Sequence, residues 1–416
     1  MATTATTEIE LTASKGFYEK LVLQLLSRMQ YGTLNLVLPD GEEMRIGNGE
    51  RNISARIEIK NRNFFKRCVL YGDIGFGEAY VDGDWDTDDI TQVIKWFLLN
   101  VENAPTLSGS RTKTFVLNIL KFFNKLSHLR RENTLSGSKK NISAHYDLNN
   151  SFFSLFLDPT MTYSAAYFKE DGITLEQAQI EKYDRLCRQL QLKPTDHVLE
   201  IGSGWGGNAI YMAKNYGCTV TTVTISDEQY KWAKEQVESQ NLSHKINVLV
   251  QDYRYLKGKF DKIVSIEMLE AVGAKFLDVY FKKCSELLRK DGILAIQVIT
   301  CPDPRFESLR TGVDWIQKHI FPGSLLPSVG VLNRAVNNVT DLSLVDLKDI
   351  GLHYAKTLTA WKEEFNRNIS EIKKLGFDDL FIRKWNYYLC YCEAAFLMRN
   401  INVMQMVYTR PNNTNR

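Results

Sequence analysis

A strand, a glycine-rich loop and a helix follow one another near residue 200, and this succession constrains the fold of the 416-residue chain more than any other feature. The apolar run that ends at Ile201 is followed by Gly202, Gly204 and Gly207, which satisfy the pattern GxGxxG. Glycines in such a turn let the backbone approach a nucleoside and leave the N-terminus of the next helix facing it. The pattern alone is a weak signal, because more than one class of nucleotide cofactor uses it.

The positions of acidic residues distinguish between these cofactors. A nicotinamide dinucleotide site needs an acid that closes the second strand about 20 residues on, but here the strand runs out as Val223–Ser226 before Asp227. Glu200 lies just before the first glycine, and Asp252 follows the third predicted strand. This layout favours a class I methyltransferase, which binds S-adenosylmethionine. The alternative is that Glu200 and Asp252 only cap strand ends.

Alternating strands and helices beyond residue 175 predict the architecture. Helices are expected at 175–190 and 209–215, and strands at 197–201, 219–223, 246–250, 262–266 and 292–300. This alternation predicts an α/β fold with a Rossmann-like, doubly wound parallel sheet covered on both faces. Apolar runs at 342–345 and 403–408 are expected to add final antiparallel strands.

A smaller α+β domain is predicted at the N-terminal end. Its signals are an amphipathic helix at 15–29, strand-like alternation at 34–38 and 55–59, a glycine- and acid-rich turn region at 71–86, and a helix at 87–101. The length of the chain favours two domains. We place their boundary between residues 135 and 136, next to the linker-like stretch 136–140.

Much of the chain's excess of positive over negative charge lies between residues 108 and 141, which contain eight basic residues and one acid. Apolar residues recur at helical spacing within this segment, so residues 114–129 are typical of an amphipathic helix that rests on an anionic membrane surface. The alternative is a helix that packs between domains while its lysines are solvated.

Composition excludes several other classes of protein. The net charge of +3 gives no reason to expect nucleic acid as a partner. Seven cysteines without CxxC pairs and six dispersed histidines indicate neither a disulfide framework nor a metal site. We find no secretion signal and no apolar run of membrane-spanning length, so a cytoplasmic location is expected.

Over roughly residues 55 to 410 the chain resembles the cyclopropane fatty acid synthase and mycolic acid methyltransferase family. The resemblance is carried by Ala144–Asn149, Phe156–Tyr167, the glycine loop with Trp205, Val223–Gln229, Ser265–Gly273 and Ile320–Gly323. It implies an enzyme that adds a one-carbon unit from S-adenosylmethionine to the double bond of an unsaturated phospholipid acyl chain. It also implies a homodimer, with residues 1–135 bringing the catalytic domain, 136–416, to the inner face of the membrane.

The resemblance assigns a set of residues to the cofactor. They are Tyr163, Ser164, Glu200, Gly202, Gly204, Trp205, Gly206, Gly207, Thr224, Ile225, Ser226, Gln229 and Tyr253, to which the strand-end position adds Asp252. Aromatic faces stabilise cations, so Tyr163, Tyr167 and Tyr354 are expected as walls of the reaction chamber, or else as ordinary core residues.

The family residues that bind the proton-accepting group are only partly matched in this sequence. In well-known family members a bicarbonate ion removes the final proton, held by a cysteine, a glutamate, a histidine, a tyrosine and a backbone group near an isoleucine. Glu270, Tyr354 and Ile299 match this set, but Ala165 stands at the cysteine position and Gln297 at the histidine position. Either Gln297 still binds the anion, or Glu270 is itself the base, which we prefer.

Three further residues match the family without a settled role. Cys392 corresponds to a cysteine that is often called catalytic in the family, but a packing role fits this chemistry better. For His145 we expect a structural hydrogen bond rather than a contact to lipid phosphate. Glu267 is either a second active-site carboxylate or a strand-end cap.

Other functions remain compatible with the sequence. If the base lies away from the new methyl group, it takes a different proton after a hydride shift. The product is then a methyl- or methylene-branched chain instead of a ring. A related small-molecule N-methyltransferase would need no cage for a carbocation. A lipid-binding protein that has lost catalysis would explain Ala165 and Gln297, although Glu270, Tyr354 and the intact glycine loop argue against it.

Overall fold

The computed structural model describes residues 16–100 and 150–414. The basic segment 108–141, with its predicted helix and linker, and His145 lie outside these residues. Among the helices described, none combines the length and the apolar character that crossing a membrane requires.

The described residues form both helices and strands, numbered in chain order. The helices are α1 Phe17–Leu26, α2 Asn63–Val81, α3 Ile90–Leu99, α4 Asn150–Phe153, α5 Leu175–Leu190, α6 Gly207–Asn215, α7 Asp227–Ser239, α8 Leu277–Leu287, α9 Phe306–Thr311, α10 Trp315–His319, α11 Val329–Val339, α12 Gly351–Arg367, α13 Ile369–Lys374 and α14 Asp379–Leu397. The strands are β1 Thr33–Val37, β2 Glu43–Ile46, β3 Ser54–Ile59, β4 Trp85–Asp86, β5 His197–Ile201, β6 Thr219–Thr224, β7 Ile246–Val250, β8 Phe260–Ile266, β9 Leu288–Thr300, β10 Ser343–Asp349 and β11 Asn402–Thr409.

The chain divides into two compact units that are not contiguous in sequence. Of the described residues, 16–100, 311–320 and 376–400 form the first unit, and 150–310, 321–375 and 401–414 form the second. The first unit therefore includes α10 and α14, which come late in the chain.

The second unit is built on a seven-stranded sheet with the order β10-β11-β9-β8-β5-β6-β7. Strands β7, β6, β5, β8 and β9 are mutually parallel, and β11 runs antiparallel to both β9 and β10. This confirms the predicted α/β fold, including the antiparallel strands at the end of the chain. The strand order reverses at β5, and ligands of open α/β sheets bind at such a switch point, beyond the carboxyl ends of the strands.

Helices cover both faces of this sheet. Alternate residues of β9 belong to separate buried clusters, because successive side chains of a strand point to opposite faces. Leu294, Ile296 and Val298 pack with residues of α8 and α11, whereas Ile293 and Ala295 pack with residues of α5, α6 and α7. This double burial explains why β9 reads as a nearly continuous apolar run.

The first unit contains a four-stranded sheet with the order β2-β1-β3-β4, as expected for a small α+β domain. The prediction of a turn region at 71–86 is wrong for residues 71–81, which belong to α2. Only Gly72 is non-helical there, with φ 60°. Gly77 serves close packing instead, since a Cβ atom at this position would lie 2.5 Å from the Trp315 ring.

Candidate active site

The glycine loop at the end of β5 is held against β6. The backbone N–H groups of Gly202 and Ser203 both donate to the carbonyl of Val223 at 3.0 Å. Gly202, Gly204 and Gly206 all have positive φ, at 96°, 50° and 94°, a conformation that glycine adopts without steric cost. A Cβ atom on Gly204 would meet no atom within 4 Å, so the outer side of the loop is open to a ligand.

The inner side of the loop is closely packed. A Cβ atom on Gly207 would lie 2.8 Å from the hydroxyl of Tyr183 and 2.9 Å from the carbonyl oxygen of Thr160. Helix α6 begins at Gly207, so its N-terminal N–H groups are presented at the mouth of the loop. The loop is therefore closely packed on its inner side, and its outer side is open and weakly positive.

Glu200 connects the strands and the helix around this loop. Its side chain is 2% exposed, and it accepts hydrogen bonds from Asn208 Nδ2 at 2.8 Å and Thr222 Oγ1 at 2.6 Å. Burial raises the pKa of this carboxyl group to about 7. Glu200 thus links α6 and β6 to β5 by hydrogen bonds, and these bonds hold the two ends of the glycine loop in place.

The other predicted cofactor residues lie at the ends of the neighbouring strands. Thr224 Oγ1 donates to Gln229 Oε1 at 2.9 Å, and Ser226 caps α7 by accepting from the Gln229 N–H. Asp252 forms a two-pronged ion pair with Arg254, and Tyr253 packs edge-on against Tyr280 at 5.4 Å. Ile225 is partly exposed where β6 ends.

An aromatic cluster adjoins the loop. Tyr163 has its ring centroid 5.4 Å from that of Phe153 and 5.1 Å from that of Trp361. Trp205 packs on Phe153 at 5.0 Å and donates from its indole nitrogen to Asn150. The predicted aromatic residues Tyr163 and Trp205 are therefore brought together through Phe153.

Two carboxylates follow the end of β8, within the segment 267–270. Met268 lies against the glycine loop, because its Cβ would be 3.3 Å from a Cβ on Gly202. Glu270 is 9% exposed, and its Oε1 accepts from the Ile299 N–H at 2.5 Å. Its Oε2 is buried with no hydrogen-bond partner. Burial, and then the neighbouring Glu267, raise the pKa of Glu270 to about 8.

Glu267 is the better-bonded of the two carboxylates. Its Oε1 accepts from the Ala165 N–H at 2.9 Å and from Gln297 Nε2 at 2.8 Å, and the Tyr354 hydroxyl also hydrogen bonds to this carboxylate. Burial raises its pKa, while these hydrogen bonds and Lys182 act in the opposite direction. The predicted residues Gln297 and Tyr354 thus meet at Glu267.

A series of hydrogen bonds fixes the orientation of the Gln297 side-chain amide. Its Nε2 donates to the Ala165 carbonyl at 3.1 Å as well as to Glu267, and its Oε1 accepts from Gln405 Nε2 at 2.9 Å. Gln405 in turn accepts from Arg185 Nε at 2.8 Å. Both amide hydrogens of Gln297 are therefore committed to the protein.

Lys182 is a buried charged residue that the sequence analysis missed. It is fully buried on α5, and its Nζ donates to Ser164 Oγ at 2.8 Å. Burial lowers its pKa to about 7, although Glu267 and other carboxylates act against this shift. The signal that could have revealed it is its spacing, because Ala178, Lys182 and Leu186 share one buried helix face.

Cys392 lies on α14 and belongs to the first unit. Its thiol is free, and burial raises its pKa, which disfavours the nucleophilic thiolate. A packing role for Cys392 therefore stays our prediction.

Comparisons with known proteins agree with this geometry. The family described as mycolic acid cyclopropane synthetase matches residues 134–406. The tuberculostearic acid methyltransferase of Mycobacterium tuberculosis is 36% identical over 83% of this chain and 81% of its own length. The cyclopropane-fatty-acyl-phospholipid synthase of Escherichia coli K12 is 39% identical over 86% of this chain and 88% of its own. The solved structure of mycolic acid cyclopropane synthase CmaA1 with SAH and CTAB has 30% identity and a TM-score of 0.61, over 65% of this chain and 98% of that one.

Proposed function

The chain belongs to the mycolic acid cyclopropane synthetase family, and we propose that it adds a one-carbon unit to the double bond of an unsaturated phospholipid acyl chain. It is an S-adenosylmethionine-dependent methyltransferase. The observation that carries the proposed reaction is the buried carboxylate pair of Glu267 and Glu270, held beside the glycine loop by Met268.

The residues at the loop fit S-adenosylmethionine. Gly204 leaves room for a nucleoside, and the N-terminus of α6 offers unpaired N–H groups. Ser226, Gln229 and Tyr253 lie at the ends of neighbouring strands, where side chains can hold the adenosine and amino acid parts of the cofactor.

The chemistry sets three requirements on the chain. When bound, S-adenosylmethionine supplies an electrophilic methyl group, and its transfer to an alkene leaves a carbocation. The protein must therefore exclude water, stabilise the cation and accept a proton. Tyr163, in the aromatic cluster that adjoins the glycine loop, suits the second task, since an aromatic ring stabilises a desolvated cation by about 0.5–2 kcal/mol.

A bicarbonate ion does not fit the residues present. Gln297 has no amide hydrogen left to donate, because one bonds Ala165 and the other Glu267. The Ile299 N–H is taken by Glu270, and Ala165 offers no thiol. We therefore propose that a carboxylate of the chain itself accepts the proton that is released at the end of the reaction.

Family membership favours carbon methylation over the N-methyltransferase alternative. The names of the relatives leave ring and branch to be separated by experiment, since one is a cyclopropane synthase and the other a tuberculostearic acid methyltransferase. We propose ring formation, and the support for it is the 39% identity to the cyclopropane-fatty-acyl-phospholipid synthase over 86% of this chain.

We also propose that the enzyme acts at the inner face of the membrane and, from the family resemblance alone, that it is a homodimer. The support for membrane attachment is the charge and periodicity of residues 108–141. Sedimentation with vesicles that contain phosphatidylglycerol, compared with vesicles of phosphatidylcholine alone, tests it. Equal recovery with both vesicle types, or with neither, contradicts attachment through basic residues.

The function is tested in a bacterium that lacks its own synthase. Cells expressing the chain are grown with methyl-labelled methionine, and phospholipid acyl chains are analysed by mass spectrometry for the added carbon. NMR then separates a ring from a methylene branch, which have the same mass. The control is the double variant Glu267→Gln with Glu270→Gln, which keeps the shape of the site without its carboxylates. Folded wild-type protein without labelled lipid contradicts the proposal.

A further inference from the structure

The backbone at Glu267 is unusual for a residue with a side chain. Its φ is 48°, in the left-handed region, which is unfavourable for a residue other than glycine. The structure holds it there, because the Glu267 N–H donates to the Gln297 carbonyl at 2.7 Å. Strain of this kind at a site calls for a functional explanation.

The donors that converge on Glu267 suggest that explanation. They are the backbone N–H of Ala165, the amide of Gln297 and the hydroxyl of Tyr354. By family resemblance, these are the positions of the cysteine, the histidine and the tyrosine that surround bicarbonate. In this chain the three positions surround a carboxylate that is covalently part of the protein.

We propose that the Glu267 carboxylate replaces the bicarbonate ion and accepts the proton that ends the reaction. Glu270, the base preferred from the sequence, then has a supporting role. It orients the end of β9 through the Ile299 N–H.

The electrostatics of the pair support this division. Two carboxylates that interact in a buried site do not readily ionise together. Glu267 has three hydrogen-bond donors and the attraction of Lys182, whereas Glu270 has only backbone donors, at Ile299 and at its own N–H, and an unpartnered Oε2. The raised pKa of Glu270, about 8, keeps its proton in place at neutral pH. The hydrogen bonds and Lys182 therefore favour the negative charge on Glu267 over Glu270, and only an ionised carboxylate can take up a proton.

Atoms and electrons balance in the proposed step. The π electrons of the alkene form the new bond to the methyl carbon while the carbon–sulfur bond breaks, which leaves a neutral thioether and a carbocation. An oxygen of Glu267 removes one proton from the new methyl group. The electrons of that C–H bond close the three-membered ring, and the neutral Glu267 later returns its proton to water.

The experiment compares three variants of the full chain. Glu267→Gln keeps the shape of the side chain and removes its charge. Glu267→Gly frees the donors and suits the backbone, because glycine adopts φ 48° without strain. Glu270→Gln is the matched control. Each protein is assayed in carbon dioxide-free buffer, with and without sodium bicarbonate, against sodium chloride at equal ionic strength.

We expect wild-type turnover to be independent of bicarbonate, and Glu267→Gln to lower kcat by at least about 100-fold with little change in cofactor affinity. Bicarbonate should restore part of the turnover of Glu267→Gly. It should restore none of the turnover that Glu270→Gln loses. Full turnover by Glu267→Gln, or a wild type that requires bicarbonate, overturns the inference.

The proton-transfer step rests on the proposed function, so a second measurement is independent of it. Bicarbonate should raise the Tm of Glu267→Gly by about 2 °C or more, and leave the wild type and Glu270→Gln unchanged. Absence of this shift overturns the inference even if lipid is methylated. If the shift is present but lipid is not labelled, the proposed function fails and the carboxylate replacement stands.

Discussion

Replacing Glu200 by glutamine tests how the glycine loop is held. The substitution keeps two hydrogen bonds, because the new amide oxygen can accept from Asn208 while its nitrogen donates to Thr222, whose hydroxyl rotates to accept. The variant is therefore expected to fold. It differs from the wild type in having no titratable proton at this buried position.

The size of the effect follows from the pKa of Glu200, which burial raises from 4.5 to about 7. A group whose pKa is raised by folding contributes stability below its unfolded pKa, and this contribution is lost as the pH rises through the folded pKa. The difference of about 2.5 units, at 1.36 kcal/mol per unit, corresponds to about 3 kcal/mol. Relative to Glu200→Gln, the wild type should therefore lose about 3 kcal/mol of stability between pH 4.5 and about pH 8.

Urea unfolding of both proteins at several pH values measures this difference, and all other titrating groups cancel in the comparison. A difference in unfolding free energy that is constant across this range would show that Glu200 is ionised in the native state. A difference that changes in the opposite direction would refute the assignment of burial as the dominant cause.

Three further predictions concern the loop and the cysteine. Gly204→Ala should lower the affinity for S-adenosylhomocysteine at least tenfold by calorimetry, with only about 1 kcal/mol lost in urea unfolding, because its Cβ points to the open side at positive φ. Gly207→Ala should lose about 1–3 kcal/mol in the same unfolding assay, because its Cβ would overlap the Thr160 carbonyl. Cys392→Ala should retain turnover and cofactor affinity, and a loss of turnover in folded protein contradicts the packing role.

The fold of the second unit could be predicted from the sequence because its central strands are buried on both faces and its helices are amphipathic. The strand predicted at 197–201 coincides with β5, and the C-terminal antiparallel strand nearly coincides with β11. Residues 71–81 were not predicted as a helix because glycine is a poor helix former. Gly75 and Gly77 are tolerated in α2 because neighbouring groups pack too closely for a side chain, which is a tertiary effect that local sequence does not carry.

The site was only partly accessible to the same reasoning. The glycine loop is local in sequence, so its residues could be named directly. The ring of donors around Glu267 joins Ala165, Gln297 and Tyr354, which are far apart in the chain. Which carboxylate they surround depends on the register between β8 and β9 and on a left-handed backbone at one residue. Neither property has a signature in a single sequence.

The way the two units share the end of the chain has a consequence for biosynthesis. Helix α14 packs against α3 and α2 in the first unit, and β11 lies between β9 and β10 in the second. During translation, neither unit can close until the ribosome has released residues 379–409. The nascent protein therefore keeps apolar surfaces of both units uncovered for most of its synthesis, and we expect it to depend on chaperones more than a protein of equal size with contiguous domains.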